Sequence, residues 1–262
     1  MAERIGIFDS GLGGLTVLRS LIDLVPGADV VYFGDTGRFP YGTKDRDQVL
    51  KFALEIGDLL VERGAELVVV ACNSAAAAAL DALGDQLLVP VIGVIAPGLR
   101  AAARASRNGR VGVIGTVGTI ASGAYQREAV RLDLSLELTC AACPGFVEFV
   151  EAGDVDSDQV HVLAERLLEP VRAADVDTVI LGCTHYPLLA RTIGDVMGRE
   201  VVLVSSADET AFAVRELVAP ATVTRATHAD HVFLTSGDVT TFRALGERFL
   251  GPEVRNVEHH AW

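Results

Sequence analysis

The sequence predicts an α/β fold of two similar parallel-sheet α/β lobes related by pseudo-twofold symmetry, with an active site in the crevice between them. Three observations lead there. Short β-branched runs alternate with Gly- or Ser-containing turns and helix-length amphipathic segments along the whole chain, which is the pattern of a parallel sheet covered on both faces. Arg4-Ile5-Gly6-Ile7 opens the chain, and Arg110-Val111-Gly112-Val113 opens a second stretch of the same kind, each followed by a turn rich in Gly and Ser or Thr. Further on, each stretch reaches an apolar strand that ends in a cysteine: Val70-Ala71-Cys72-Asn73-Ser74 in one, Leu181-Gly182-Cys183-Thr184-His185 in the other.

Taken in chain order, the β-branched runs predict strands at Ile5–Phe8, Val30–Phe33, Leu67–Ala71, Val91–Val94, Val111–Ile114, Leu134–Leu138, Thr178–Leu181, Val201–Val204, Val232–Leu234 and Val254–Val257. Amphipathic spacing predicts helices between them, at Leu15–Leu24, Asp45–Arg63, Ser74–Leu83, Ile120–Arg131, Ser157–Ala174, Ala207–Val218 and Thr240–Leu250. The repeat assigns residues 1–95 and 207–262 to the first lobe and 96–206 to the second, the last strands returning to the first. The Ala75–Ala79 run is good helix former, not a linker.

With 262 residues, half of them apolar, the chain can bury a sizeable core. Its start, Met-Ala-Glu-Arg, has none of the basic, apolar and small-residue pattern of a signal peptide, and no apolar run reaches the ~18 residues of a membrane span. A cytoplasmic protein with no membrane partner is expected. The net charge of −13, from 35 acidic and 22 basic residues, comes without a basic cluster, which argues against nucleic acid. An anionic substrate would have to be held by local backbone N–H groups, such as those at helix N-termini.

In a reducing compartment Cys72, Cys140, Cys143 and Cys183 are expected as free thiols. Cys72 and Cys183 both end strands just before helical segments, with Thr184 as a candidate cap and Pro187 early in the second one. A helix N-terminus lowers a thiol pKa from about 8.5 and favours the thiolate. The plain alternative is two small buried hydrophobes, and matching strand-end positions followed by Asn-Ser and Thr-His weigh against it. Two acid/base groups on opposing lobes suit the inversion of a carbon that bears hydrogen, one removing a proton from one face while the other delivers a proton to the opposite face. His185 lies close to Cys183 in sequence, so spacing alone leaves a cysteine hydrolase open.

Several segments in order resemble the glutamate racemase family: Asp9-Ser10-Gly11-Leu12-Gly13-Gly14-Leu15-Thr16, Gly34-Asp35 with Pro40-Tyr41-Gly42, Ala71-Cys72-Asn73-Ser74-Ala75, and Gly182-Cys183-Thr184-His185-Tyr186-Pro187. Val113-Ile114-Gly115-Thr116 through Thr119, and Cys143-Pro144 through Glu151-Ala152-Gly153, extend the match. Ser74 departs from the threonine usual there and keeps the hydroxyl. The resemblance implies a cofactor-independent isomerase that racemises L- and D-glutamate and supplies D-glutamate for peptidoglycan, with Cys72 acting on the D-enantiomer and Cys183 on the L-enantiomer. It implies that Asp9, Glu151 and His185 assist the thiols, and that Asp9, Ser10, Tyr41, Gly42, Asn73, Ser74, Thr184 and His185 contact substrate. A homodimer is implied as well. Read without the resemblance, Asp9 is a cap, Ser10 a turn residue and Glu151 a surface charge.

Other motifs lead elsewhere and carry less. Cys140-Ala-Ala-Cys143 has zinc or redox spacing but lacks a second ligand pair, with only His228-x-x-His231 and His259-His260 on offer; it reads as a loop leading to the Glu151 segment. Gly11-Leu12-Gly13-Gly14 fails the dinucleotide fingerprint at Thr16 and has no P-loop Lys. No metal and no cofactor are therefore expected. Rival readings are a racemase or isomerase acting on aspartate, hydantoins or maleate, and a two-lobed binding or regulatory protein without turnover.

Overall fold

The computed structural model describes residues 4–218 and 229–262. The chain forms two compact units, Met1–Val94 with Ala207–Trp262, and Ile95–Ser206. The first holds a six-stranded parallel sheet of β1 (Arg4–Asp9), β2 (Asp29–Gly34), β3 (Leu67–Val70), β4 (Val91–Gly93), β9 (His231–Thr235) and β10 (Val257–His259), in the order β10-β9-β2-β1-β3-β4. The second holds a four-stranded parallel sheet of β5 (Arg110–Gly115), β6 (Glu137–Ala142), β7 (Thr178–Gly182) and β8 (Val202–Ser205), in the order β6-β5-β7-β8. The run β2-β1-β3-β4 in one sheet has the same order as β6-β5-β7-β8 in the other. Each repeat-opening strand is thus central, and each cysteine-ending strand lies directly beside it.

The central strands are continuously apolar because both faces are covered. Ile5, Ile7, Phe8, Val69 and Val70 in the first unit, and Val111, Val113, Ile114 and Ile180 in the second, are fully buried. Each such side chain stabilises the fold by roughly 1.5–3 kcal/mol relative to exposure. The glycine shared by the two repeats has a packing reason. A Cβ on Gly6 would stand 2.9 Å from Ala65 Cβ, and one on Gly112 would stand 2.4 Å from Val171 Cγ1. Only glycine lets the crossover segment lie this close to the sheet.

Among the described residues the helices are α1 (Leu15–Leu24), α2 (Arg46–Glu62), α3 (Asn73–Gln86), α4 (Ile95–Ala105), α5 (Val117–Ala121), α6 (Ala124–Arg131), α7 (Phe146–Ala152), α8 (Asp158–Ala173), α9 (Ala190–Met197), α10 (Ser206–Arg215) and α11 (Val239–Phe249). Ser157 and Asp238 cap α8 and α11, accepting from the N–H groups of Val160 and Thr241. Among the described residues no helix is long and apolar enough to cross a membrane.

Several elements differ from the sequence reading. The helix expected over Ile120–Arg131 is split into α5 and α6 by Gly123, whose φ of 65° breaks the turn. α4 and α7 lie outside the helices expected from sequence: α4 carries Pro97 and Gly98 in its opening turns, and α7 is a seven-residue piece between Gly145 and Gly153, both with positive φ. The helical segment expected after Cys183 begins as the short turn Tyr186–Leu189 and continues as α9. β6 lies at Glu137–Ala142, not Leu134–Leu138, because its register on β5 pairs Arg110 with Glu137, after a turn that places Asp133 at φ 53°. Cys140 therefore sits in a strand and not in a loop. β10 falls at Val257–His259, later than Val254–Val257; Val254 is buried and faces Gly246 of α11. Helix α10 ends at Arg215, short of the expected Val218. His228 of the His228-x-x-His231 motif lies outside the described residues.

Candidate active site

In the first unit the site grows from the carboxyl ends of β1, β2 and β3, where an open parallel sheet binds ligands. Asp9, the last residue of β1, is fully buried, and its Oδ2 accepts from the N–H of Gly11 at 3.0 Å. The turn after it packs tightly, since a Cβ on Gly14 would stand 2.6 Å from Asp9 Cβ. Cys72 follows β3 and occupies the cap position of α3, with its Sγ accepting from the N–H of Ala75 at 3.5 Å. The same thiol donates to Ser10 Oγ at 3.6 Å. Asn73 and Ser74, in the first turn of α3, are buried beside it.

The Cys72 thiol departs from the sequence expectation. The helix-start N–H of Ala75 and the Ser10 hydroxyl do favour the thiolate, but burial, and next the neighbouring Asp9 carboxylate, push the thiol up to about 12. Tyr32, whose hydroxyl donates to Gly11 O at 3.1 Å, is likewise held protonated by burial, Asp9 and Cys72.

Tyr41 and Gly42 lie in a buried short turn after β2. The Tyr41 hydroxyl donates to Asp35 Oδ2, and burial followed by the Asp35 charge raises its pKa. With that hydroxyl engaged, the groups this turn can offer a ligand are backbone. Asp35 itself belongs to a quoted segment but received no role from sequence. It is fully buried and also accepts from Arg38 Nε at 2.7 Å, Ser236 Oγ at 2.5 Å and Trp262 Nε1 at 3.3 Å.

In the second unit Cys183 stands just beyond β7, buried, with its Sγ 3.9 Å from His185 Nδ1. Thr184 Oγ1 lies 3.5 Å from the same nitrogen. In the following short helical turn, Tyr186–Leu189, the cap position falls on His185 and not on Thr184, and Pro187 does fall in its first positions. His185 is almost fully buried, and its Nε2 is 3.5 Å from Oε1 of Glu151, on α7. Glu151 is thus not a plain surface charge. Cys143 is buried near Cys183, and burial, then the Cys183 charge, push its thiol up to about 12. The Tyr186 hydroxyl donates to Cys143 O at 3.1 Å, bracing the Cys183 loop against the end of β6.

Each unit therefore gathers its own share of the sequence-derived residues: Asp9, Ser10, Tyr41, Gly42, Cys72, Asn73 and Ser74 in one, and Glu151, Cys183, Thr184 and His185 in the other. The titratable neighbours of the two thiols differ between units. A carboxylate neighbours Cys72, and a carboxylate-linked imidazole neighbours Cys183.

The model of a family of isomerases, the Asp/Glu/Hydantoin racemases, matches residues 5–217. A glutamate racemase from Geobacter metallireducens is 49% identical over 257 residues, covering 97% of this chain and 95% of that one. Among solved structures, a glutamate racemase isoform from Bacillus anthracis superposes with a TM-score of 0.91 at 39% identity, covering 99% of this chain and 97% of its own. The glutamate racemase of Francisella tularensis, solved in complex with D-glutamate, also gives a TM-score of 0.91, at 31% identity and the same coverage. The chain belongs to the Asp/Glu/Hydantoin racemase family and, within it, to the glutamate racemases.

Proposed function

We propose that this isomerase interconverts L- and D-glutamate without a cofactor, Cys183 exchanging the α-proton of the L-enantiomer and Cys72 that of the D-enantiomer. The observation that carries the reading is the strand-end position shared by the two thiols, each beside the central strand of its own sheet. Inversion needs two acid/base groups that act on opposite faces of one carbon, and the two thiols are the pair suited to that chemistry.

For L-glutamate as substrate, His185 assists loss of the Cys183 proton, and the resulting thiolate removes the α-hydrogen. The Cys72 thiol, held protonated by burial and Asp9, then delivers its proton to the other face. In the reverse direction Cys72 must first lose its proton, and the substrate ammonium, a cation near the sulfur, favours that loss. The Asp9 carboxylate is the neighbouring group suited to take it. Ser10, Asn73, Ser74, Thr184 and the backbone of Tyr41 and Gly42 offer hydroxyls, amides and N–H groups for the substrate carboxylates. The D-glutamate bound to the Francisella tularensis relative supports glutamate as the substrate. Supply of D-glutamate for peptidoglycan in the cytoplasm, by a homodimeric enzyme, accords with this activity.

Heavy water tests the two-base step. D-Glutamate formed early from L-glutamate in heavy water is expected to carry deuterium at its α-carbon, while unconverted L-glutamate stays mostly protiated. Early product that kept its original α-hydrogen would show that one group serves both faces.

A further inference from the structure

Residue 262 is far from the strand-end segments in sequence, yet its side chain reaches Arg38 and Asp35, just ahead of the turn that holds Tyr41. The Trp262 ring lies 4.0 Å from the Arg38 guanidinium, and the same guanidinium lies 4.0 Å from the Phe52 ring on its other contact. Phe52 in turn packs on Tyr41 at 5.7 Å between ring centroids. A stack of four side chains thus runs Trp262, Arg38, Phe52, Tyr41. Asp35 ties the same groups by hydrogen bonds, accepting from Tyr41, Arg38 and Trp262 at once.

The tail is itself held in place. β10 pairs with β9, the His260 N–H donates to Thr235 O at 2.8 Å, and the Phe33 ring contacts both His260 and Trp262. The end of β9 holds the short turn Thr36–Arg38 that carries Arg38, with Thr235 Oγ1 2.7 Å from Thr36 Oγ1 and the Gly37 N–H donating to Ser236 Oγ. A turn whose backbone must present N–H groups to a carboxylate gains from such bracing, because a latched turn loses less freedom on binding, and by the same linkage bound substrate favours the latched state.

We infer that Trp262 is a positioning residue, a latch that acts through Arg38 and Asp35 to hold the Tyr41–Gly42 turn in its substrate-binding geometry. The inference rests on the reading of that turn as a substrate contact. The latch touches no reacting atom, so its loss weakens binding and leaves the proton transfers alone. Trp262→Ala is expected to raise KM for glutamate about fivefold, the scale of one lost cation–π contact, with kcat within about twofold. Trp262→Phe keeps a ring over Arg38 and is expected to restore KM to within about twofold of the parent.

Trp262 is the single tryptophan of the chain, so its fluorescence reports the latch directly. D-Glutamate added to the parent enzyme is expected to reduce acrylamide quenching of that emission, and this measurement stands even where Trp262→Ala fails to fold. An unchanged KM in Trp262→Ala, a fall in kcat as large as the rise in KM, or quenching indifferent to D-glutamate would each overturn the latch. A parent enzyme that left glutamate unconverted would instead remove the reading of the turn on which the latch depends.

Discussion

His185 Nε2 stands 3.5 Å from Glu151 Oε1, and the other ring nitrogen, Nδ1, stands 3.9 Å from Cys183 Sγ. One imidazole therefore links a carboxylate to a thiol. His185→Asn removes the link and is expected to lower kcat/KM by about 10²- to 10⁴-fold, the usual worth of a positioned acid/base group. The loss must be equal in both directions, because enantiomers have the same free energy and the ratio of the two kcat/KM values is fixed at one. Circular dichroism followed from pure L- and from pure D-glutamate checks both; an unimpaired variant would remove His185 from the mechanism.

Cys72→Ala and Cys183→Ala should each abolish racemisation, since each thiol serves one face. Both variants should fold, and retained binding of glutamate by calorimetry separates lost chemistry from lost structure. Substantial activity in either variant contradicts the two-thiol mechanism.

The state of Cys72 also governs stability at high pH. The unfolded chain releases this proton near the ordinary value of 9.0, while the folded protein holds it up to about 12. The folded pKa is raised, so the contribution to stability is complete below pH 9 and is lost as pH rises toward 12. Tm measured across that window is expected to fall less steeply in Cys72→Ala than in the parent. Activity should trace a bell against pH, because turnover needs one thiol and one thiolate together, and the limbs belong to the coupled pair. A flat profile through the thiol range would count against the pairing.

Gly112→Ala would place a Cβ 2.4 Å from Val171 Cγ1. Overpacking of this kind costs about 1–3 kcal/mol, and a lowered midpoint in urea unfolding is the expected result. Gly6→Ala, with Ala65 Cβ at 2.9 Å and Leu60 Cβ at 3.0 Å, should behave in the same direction.

The central strands were legible from sequence because their signal is local. After their leading arginines, Ile5-Gly6-Ile7 and Val111-Gly112-Val113 are buried on both faces and lack polar alternation. The boundary of β6 was not legible: Leu134 and Leu136 look as strand-like as Leu138, and only pairing with β5 selects Glu137–Ala142. Helix α4 was hidden by Pro97 and Gly98, which read as breakers unless the start of the helix is already known. Of the site, the strand-end cysteines were visible as motif and position together, and Asp35 was visible only as a neighbour of better-known residues.

By itself, the sequence determined the alternation of strands and helices, the internal repeat, and the placing of Cys72 and Cys183 at strand ends, since all three follow from short-range pattern. Tertiary structure decided what those positions do to the side chains. A helix start would lower the Cys72 pKa, but burial and the Asp9 carboxylate, brought alongside by the pairing of β1 with β3, outweigh it. The Asp35 network, assembled from residues 38, 41, 236 and 262, has no sequence signal at all, because desolvation and hydrogen bonding depend on which distant segments the sheet brings together.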